Sequence, residues 1–385
     1  MRVVFLTNII SPYRLGVFEN LAKTRGWDFH VLINARSEFD RQWEVDTAGL
    51  SVRLSATRTV RRTVVTQQPV RFEQVIELHL PTGLWGDLRA LRPDVIISHE
   101  MGPRSAIAAA YARAHGIPLV IWAYQSRVSG GQSGMARKLW RRTLLGQAAA
   151  VVGMGVQARQ VLRGWGVQDD RIIDAPNSAD HVTLERELRA EHLSDKVAEI
   201  RESVGGRKIA LVVGRLIPLK GIPEMLAAWE KLPQTARDEW RLVFVGHGPM
   251  DGVVRAHEHQ GVVLAGSAKP REMAAWYVAA DLHVFPSLGD VWGLVVNEAS
   301  QCGTPSLCSV HAGCCDDLIT AGVDGLTCDP ANSEQFAAEL AAALDHSDLP
   351  SVGLRARQTV SRCTQPRLAD SFRRAVEMAV ARAVA

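Results

Sequence analysis

Residues 285–305 read FPSLGDVWGLVVNEASQCGTP. The preceding DLHVF (281–285) is an apolar strand halted by Pro286, a loop of small and polar residues follows, and from Gly293 an apolar period in Leu294, Val295, Val296 and Ala299 predicts a helix. Asp290 lies in the loop and Glu298 lies eight positions on, within the helix. The unpaired N–H groups of a helix start attract anions, and a glycine at 293 lets backbone approach a ligand closely. Phosphate at Val291–Leu294, with hydroxyls taken by the two acids, outlines a nucleotide-sugar site. Taken alone the pair has a plainer explanation, because an Asp ahead of a helix is commonly an N-cap and a helical Glu is commonly solvated.

A second constellation follows the strand KIALVV (208–213), in Gly214-Arg215-Leu216-Ile217-Pro218-Leu219-Lys220-Gly221. Arg215 and Lys220, five apart on one loop, can grip a diphosphate from two sides, the guanidinium in bidentate fashion and the ammonium as a point charge. LVFVGHGP (242–249) ends a strand in a Gly-x-Gly turn, and Gly246 and Gly248 would suit close passage of a nucleotide.

Together these stretches resemble glycosyltransferase family 4, whose retaining members have the GT-B fold and an E-x7-E signature. The resemblance spans nearly the whole chain and is strongest over 205–330. It implies an α/β GT-B architecture of two doubly wound Rossmann-like domains facing a cleft. It also implies transfer of a sugar from a nucleotide diphosphate sugar to an acceptor hydroxyl, with Arg215, Lys220, Asp290 and Glu298 as the catalytic set, Glu298 on the ribose and Asp290 on the donor sugar. Gly16, Gly214, Gly246, Gly248, Val291, Trp292, Gly293 and Leu294 would line the donor. Three departures stand out. Asp290 replaces the usual Glu; of the paired glycines often found after the first strand only Gly16 remains; and the loop that often carries a histidine holds Gln125 and Arg127.

Working outward, 385 residues suit two domains, and 47% hydrophobic with 22% charged residues is a globular composition. The net charge of +3 is uneven: residues 1–180 hold 23 Lys+Arg against 15 Asp+Glu, the remainder 21 against 26. The chain opens with the strand Val3–Leu6, a helix to about Ala22 and the strand FHVLI (29–33), a β-α-β start. Residues 36–80, with Arg53, Arg58, Arg61 and Arg62, read as a solvated loop or edge. Strands at 95–98, 118–123 and 148–152 and helices at 84–91 and 105–115 follow. Asn8, His99, Gln125 and Arg127 fall at strand carboxyl ends, where an acceptor or the sugar would be met. The predicted domains are 1–182 for the acceptor, 183–206 as a linker with an entry helix, and 207–365 for the donor, with a last helix in 366–385 packing back on the first.

The segment GMARKLWRRTLLG (134–146) carries four cations and Trp140 among apolar residues, a pattern that suits either an anionic membrane surface or an ordinary surface helix. Six cysteines without a C-x-x-C pair predict reduced thiols and neither a metal nor a redox site, and no D-x-D triplet lies in a suitable loop, so no metal or cofactor is expected. The short apolar run at the start reads as a strand, not a signal peptide, and no run approaches a membrane span, which together predict a cytoplasmic chain, peripheral at most, that binds no nucleic acid. A non-hydrolysing nucleotide-sugar epimerase and a non-catalytic nucleotide-sugar-binding subunit are the alternatives.

Overall fold

The computed structural model describes residues 1–38, 45–66, 69–131 and 134–384. They form two compact units, the first comprising Met1–Thr66, Glu73–Asp180 and Thr364–Ala385, the second residues 69–72 and His181–Cys363.

The first unit runs β1 (Arg2–Thr7), α1 (Pro12–Ala22), β2 (Asp28–Ile33), β3 (Ser51–Leu54), β4 (Arg58–Thr66), β5 (Phe72–Leu80), α2 (Leu84–Leu91), β6 (Val95–His99), α3 (Pro103–His115), β7 (Leu119–Ala123), α4 (Arg127–Gly131), α5 (Met135–Gly146), β8 (Ala150–Gly153), α6 (Gly155–Gly164) and β9 (Ile172–Asp174). Seven strands make one parallel sheet in the order β3-β2-β1-β6-β7-β8-β9. Strands such as VIISH and LVIWA are buried along their whole length because helices cover both faces of such a sheet.

The stretch 36–80 is more structured than expected. It supplies the edge strand β3 and a separate two-stranded sheet of β4 and β5, where Arg61 Nε donates to Glu77 Oε1 at 2.8 Å and Thr59 pairs with His79. Most of this hairpin is exposed on its faces, so its strands lack the alternation that sequence reading depends on. Its neighbours 39–44 and 67–68 lie outside the described residues.

The second unit begins with two helices, α7 (His181–Leu188) and α8 (Leu193–Ser203). It continues through β10 (Lys208–Val213), α9 (Ile222–Glu230), α10 (Gln234–Glu239), β11 (Trp240–Val245), α11 (Asp251–Arg255), β12 (Val262–Gly266), α12 (Met273–Ala279), β13 (Leu282–Phe285), α13 (Leu294–Gln301), β14 (Ser306–Ser309), α14 (Cys315–Leu318), β15 (Leu326–Cys328), α15 (Ser333–Leu344) and α16 (Leu349–Val360). Its parallel sheet has the order β12-β11-β10-β13-β14-β15. The expected linker at 183–206 is therefore corrected. Val197 and Ile200 of α8 pack with Tyr277 and Ala279 of α12, and Gln301 Nε2 donates to His181 O at 2.8 Å, so these helices are integral to the second unit. Their burial comes from contacts about 80 residues away in sequence, which a charge-rich local composition does not reveal.

The chain ends with α17 (Gln365–Val384), which lies on the first unit. Phe372 meets Phe5 and Trp122 edge-on at 5.3 and 5.1 Å, and Gln365 Nε2 donates to Tyr13 O at 3.0 Å. Gly16 belongs to this contact. It sits inside α1, and a Cβ there would run into the Gln365 side chain. The glycine expected to line the donor thus lies against the side chain that seats the last helix.

Candidate active site

Three loops leaving strand carboxyl ends are bound to one another in the second unit. The loop after β13 meets the one after β10 where Leu288 N–H and Ser287 Oγ both donate to Leu219 O, at 3.0 and 3.3 Å. Gly221, at φ 70°, caps α9 against the Pro286 carbonyl, and any Cβ would collide with that oxygen. This contact is the local reason for glycine after Lys220, and it fixes the lysine beside the β13 loop. Lys220 Nζ consequently pairs with Asp290 Oδ2, both side chains about one-fifth exposed.

The loop after β14 closes the other side. Asp290 N–H donates to His311 O, Gly313 N–H to Asp290 O, and Cys314 N–H to Trp292 O, at 3.3, 3.1 and 3.0 Å. Gly313 lies so close to the Val291 carbonyl that a side chain would not fit. Asp290 Oδ1 accepts the Trp292 N–H at 3.2 Å, and Gly293, at φ 107° above the Phe285 ring, then starts α13. The Trp292 amide, expected for the donor, is thus taken by Asp290. Its indole is buried and donates to Asn297 Oδ1 at 2.7 Å, which anchors the turn from below. The first N–H groups of α13 have no intrahelical partner, as in any helix.

Glu298, one turn into α13, accepts a 2.7 Å hydrogen bond on Oε2 from the Tyr277 hydroxyl. Tyr277 is fully buried in α12; burial, and then the Glu298 charge, hold its hydroxyl well above the ordinary phenol range, so it stays a donor. The neighbouring Cys302 thiol is pushed up to about 12 by burial, with Glu298 adding to it. All six cysteines are free, and among the described residues no cluster of three His, Cys, Asp or Glu is poised to hold a metal.

Arg215 is exposed on the Lys220 loop. Gly214, at φ 141°, is open on its Cβ side, whereas Gly246 lies against the Gly214 carbonyl and Gly248 against the Leu216 carbonyl. Gly246 and Gly248, expected beside a nucleotide, also make room for the neighbouring loop, held by Leu216 N–H on His247 O at 3.0 Å. Val291 and Leu294 are half-buried on either side of the turn. Sequence reading missed Gly313, Tyr277 and Asn297. Only the HAGCC stretch (311–315) offered any local signal, a glycine in a loop following a strand.

In the first unit, Asn8 follows β1, and its Oδ1 accepts from Asn34 Nδ2 at 3.1 Å and from Arg104 Nη1. His99 ends β6, buried and stacked on Trp122 at 4.2 Å, with Nδ1 3.4 Å from Thr7 Oγ1. Burial, with Arg14 and Arg104 adding to it, holds its imidazole well below the usual histidine value, hence neutral. Gln125 is buried in the loop after β7, accepting from Ser129 Oγ at 3.4 Å. Arg127 starts α4 and turns outward to Gln160 Oε1 at 3.0 Å. Asn8 and His99 are brought together through Arg104, whose Nη2 donates to His99 O at 2.5 Å.

Residues 194–357 match the family "Glycosyl transferases group 1", and residues 10–178 match the "Glycosyl transferase 4-like domain". Two glycosyltransferase domain models thus match this chain, and its fold is GT-B. The chain is 31% identical over 189 residues to a D-inositol 3-phosphate glycosyltransferase of Thermobispora bispora, covering 44% of each chain. It is 26% identical over 337 residues to a GDP-mannose-dependent alpha-mannosyltransferase of Corynebacterium glutamicum, covering 84% of this chain and 75% of that one. The chain spans 28–58% of the length of six D-inositol 3-phosphate glycosyltransferases that it matches. The fold is that of Anabaena Alr3699/HepE in complex with UDP (TM-score 0.74, 15% identity, 99% and 100% of the two chains covered) and of sucrose-phosphate synthase from Thermosynechococcus elongatus (0.73, 16%, 99% and 100%).

Proposed function

We propose that this chain transfers a sugar, with retention of anomeric configuration, from a nucleotide diphosphate sugar held by the second unit to an acceptor hydroxyl held by the first. The observation that carries the reading is the Lys220–Asp290 pair at the start of α13, with Glu298 held by Tyr277 one turn along. Breaking an anomeric bond builds negative charge on the leaving diphosphate, and fixed cations and helix N–H groups stabilise that charge more in the transition state than before it. On this reading the arriving donor splits the ion pair, Lys220 turning to the diphosphate with Arg215 and Asp290 turning to a sugar hydroxyl, while Glu298 takes the ribose. The Asp290–Glu298 spacing stands in for E-x7-E. Such a site needs no metal, so activity should survive EDTA.

The names of the relatives support a nucleotide-sugar donor and a polar acceptor such as a cyclitol phosphate, and a growing polysaccharide or glycolipid would offer the same hydroxyl chemistry. Incubation with UDP-, GDP-, ADP- and dTDP-sugars, followed by mass spectrometry of products and NMR of the new anomeric bond, tests the proposal. Transfer with retention, or slow donor hydrolysis without acceptor, is the expected result. Epimerised donor alone would make the chain an epimerase. Binding without turnover of any donor would make it a non-catalytic subunit.

The α5 helix favours an anionic membrane surface as a further partner. Met135, Leu139 and Trp140 are exposed, Met135 at 82%, beside the exposed Arg137 and Arg142. Apolar side chains with flanking cations suit the headgroup layer of an anionic bilayer. Among the described residues no helix is long and apolar enough to cross a membrane.

A further inference from the structure

The carboxyl ends of β1, β6 and β7 surround a group of buried polar atoms with no partner among the described residues. Arg14, in the first turn of α1, is only 7% exposed, and its guanidinium carbon lies 3.9 Å from the Trp122 ring centroid and 5.3 Å from that of Tyr124. Among the described residues no carboxylate pairs with it, and its buried Nη1 has no acceptor. Trp122 Nε1, His99 Nε2 and Ser11 Oγ are likewise buried and unpartnered. Ser11 is the N-cap of α1 yet makes no capping hydrogen bond with its side chain. The His99 ring is stacked on Trp122 and the Arg14 guanidinium lies over the same indole, so these atoms gather around one ring system.

Cation–π stacking offsets part of the cost of burying a guanidinium, but it does not satisfy the N–H groups. An uncompensated buried cation destabilises a fold relative to an apolar side chain of similar volume, so packing does not account for Arg14. The chemistry of the missing partner can be read from the atoms left over. Arg14 Nη1 and Trp122 Nε1 can only donate, the Ser11 hydroxyl can donate as well, and the cation is unbalanced. Residues 101–150 sharpen the imbalance, with seven Lys+Arg and no Asp or Glu. The complement is a compact group that only accepts and carries negative charge.

We propose that Arg14, with Trp122 and Ser11 and beside the stacked His99 ring, forms an oxyanion site in the first unit that takes a phosphate or carboxylate group of the acceptor. The assignment rests on the reading of the first unit as the acceptor side, and it predicts that the preferred acceptor is anionic.

Calorimetric titration of the full chain with inorganic phosphate, glucose 6-phosphate, glucuronate and glucose tests it, with UDP titrated separately to read the donor side. Saturable binding of phosphate and of one of the two anionic sugars, but not of glucose, is expected; which sugar binds tells phosphate from carboxylate. That binding should persist in Lys220→Ala, which removes a cation of the second unit. It should weaken about tenfold or more in Arg14→Met, the loss of a charge-assisted hydrogen bond, and severalfold in Trp122→Phe. Arg14→Met should melt no lower than the wild type and bind UDP as before. Equal use of glucose and the anionic sugars, or phosphate binding unchanged in Arg14→Met, overturns the site. Should Arg14→Met not fold, Arg14→Lys decides, since it keeps the charge and loses the fork; unchanged phosphate affinity there is equally fatal. Failure of the wild type to bind UDP, with the anion site intact, would instead count against the donor reading.

Discussion

Lys220 and Asp290, 70 positions apart, form an ion pair across two loops that are bound together at Leu219. The pairing couples two residues assigned to different parts of the donor. Lys220→Ala and Asp290→Asn should each lower kcat/KM about tenfold to a hundredfold, while stability changes by about 1 kcal/mol or less for a pair this accessible. The double variant should lose much less than the product of the two. Fully multiplicative losses in that cycle would show that the residues act separately.

Tyr277→Phe isolates the orienting role of a buried hydroxyl. The variant leaves Glu298 Oε2 without its donor, and UDP affinity should fall about fivefold, the worth of one ordinary hydrogen bond. Glu298→Gln should reduce UDP binding as well, whereas Asp290→Asn should spare it and lose transfer. Calorimetry beside a transfer assay separates these signatures, and loss of UDP affinity in Asp290→Asn alone would reverse the roles given to the two acids.

Gly313→Ala places a methyl group on the Val291 carbonyl and should cost about 1–3 kcal/mol while disturbing the turn that carries Asp290. Gly252→Ala, in α11 with open space around it, should be neutral or slightly stabilising. Urea unfolding of both compares crowding with propensity. A Gly313→Ala protein as stable as the wild type would remove the reason given for that glycine.

Stability should fall in mild acid. Burial holds His283 down to about 3 and His99 well below the ordinary value of 6.5. Above pH 6.5 folded and unfolded chains both keep these rings neutral. As pH drops below 6.5 the unfolded chain takes up protons that the folded chain refuses, so each ring removes about 1.4 kcal/mol per pH unit, for His283 down to about pH 3. His283→Asn should flatten the slope between pH 6.5 and 5 by that amount, as read from urea midpoints. An unchanged slope would contradict a neutral buried ring.

Vesicle sedimentation tests the α5 surface. Binding should require anionic lipid, weaken with salt because each cation contributes about 1 kcal/mol within a Debye length, and drop in Leu139→Ser with Trp140→Ser. Equal recovery with neutral and anionic vesicles would leave α5 an ordinary surface helix.

The sequence alone determined the buried parallel strands and the two site loops, but not the exposed strands β3, β4 and β5. Buried parallel strands such as KIALVV and VIISH are continuous apolar runs, and the Arg215–Lys220 and Asp290–Glu298 stretches are short patterns whose chemistry is local. What surrounds those residues was decided by tertiary contacts. Gly221 needs to be glycine because Pro286 passes over it and Gly313 because of Val291, while Gly16 lies against the Gln365 side chain, which arrives from the far end of the chain. Tyr277 orients Glu298 from another helix, and α7 and α8 are held by α12 rather than strung as a linker. Such requirements arise where two distant backbones meet, and neither periodicity nor composition within one segment carries information about the other. The buried cation of Arg14 is the same case. Its charge is plain in the sequence, but its lack of an acceptor exists only once Trp122 and His99 have closed around it.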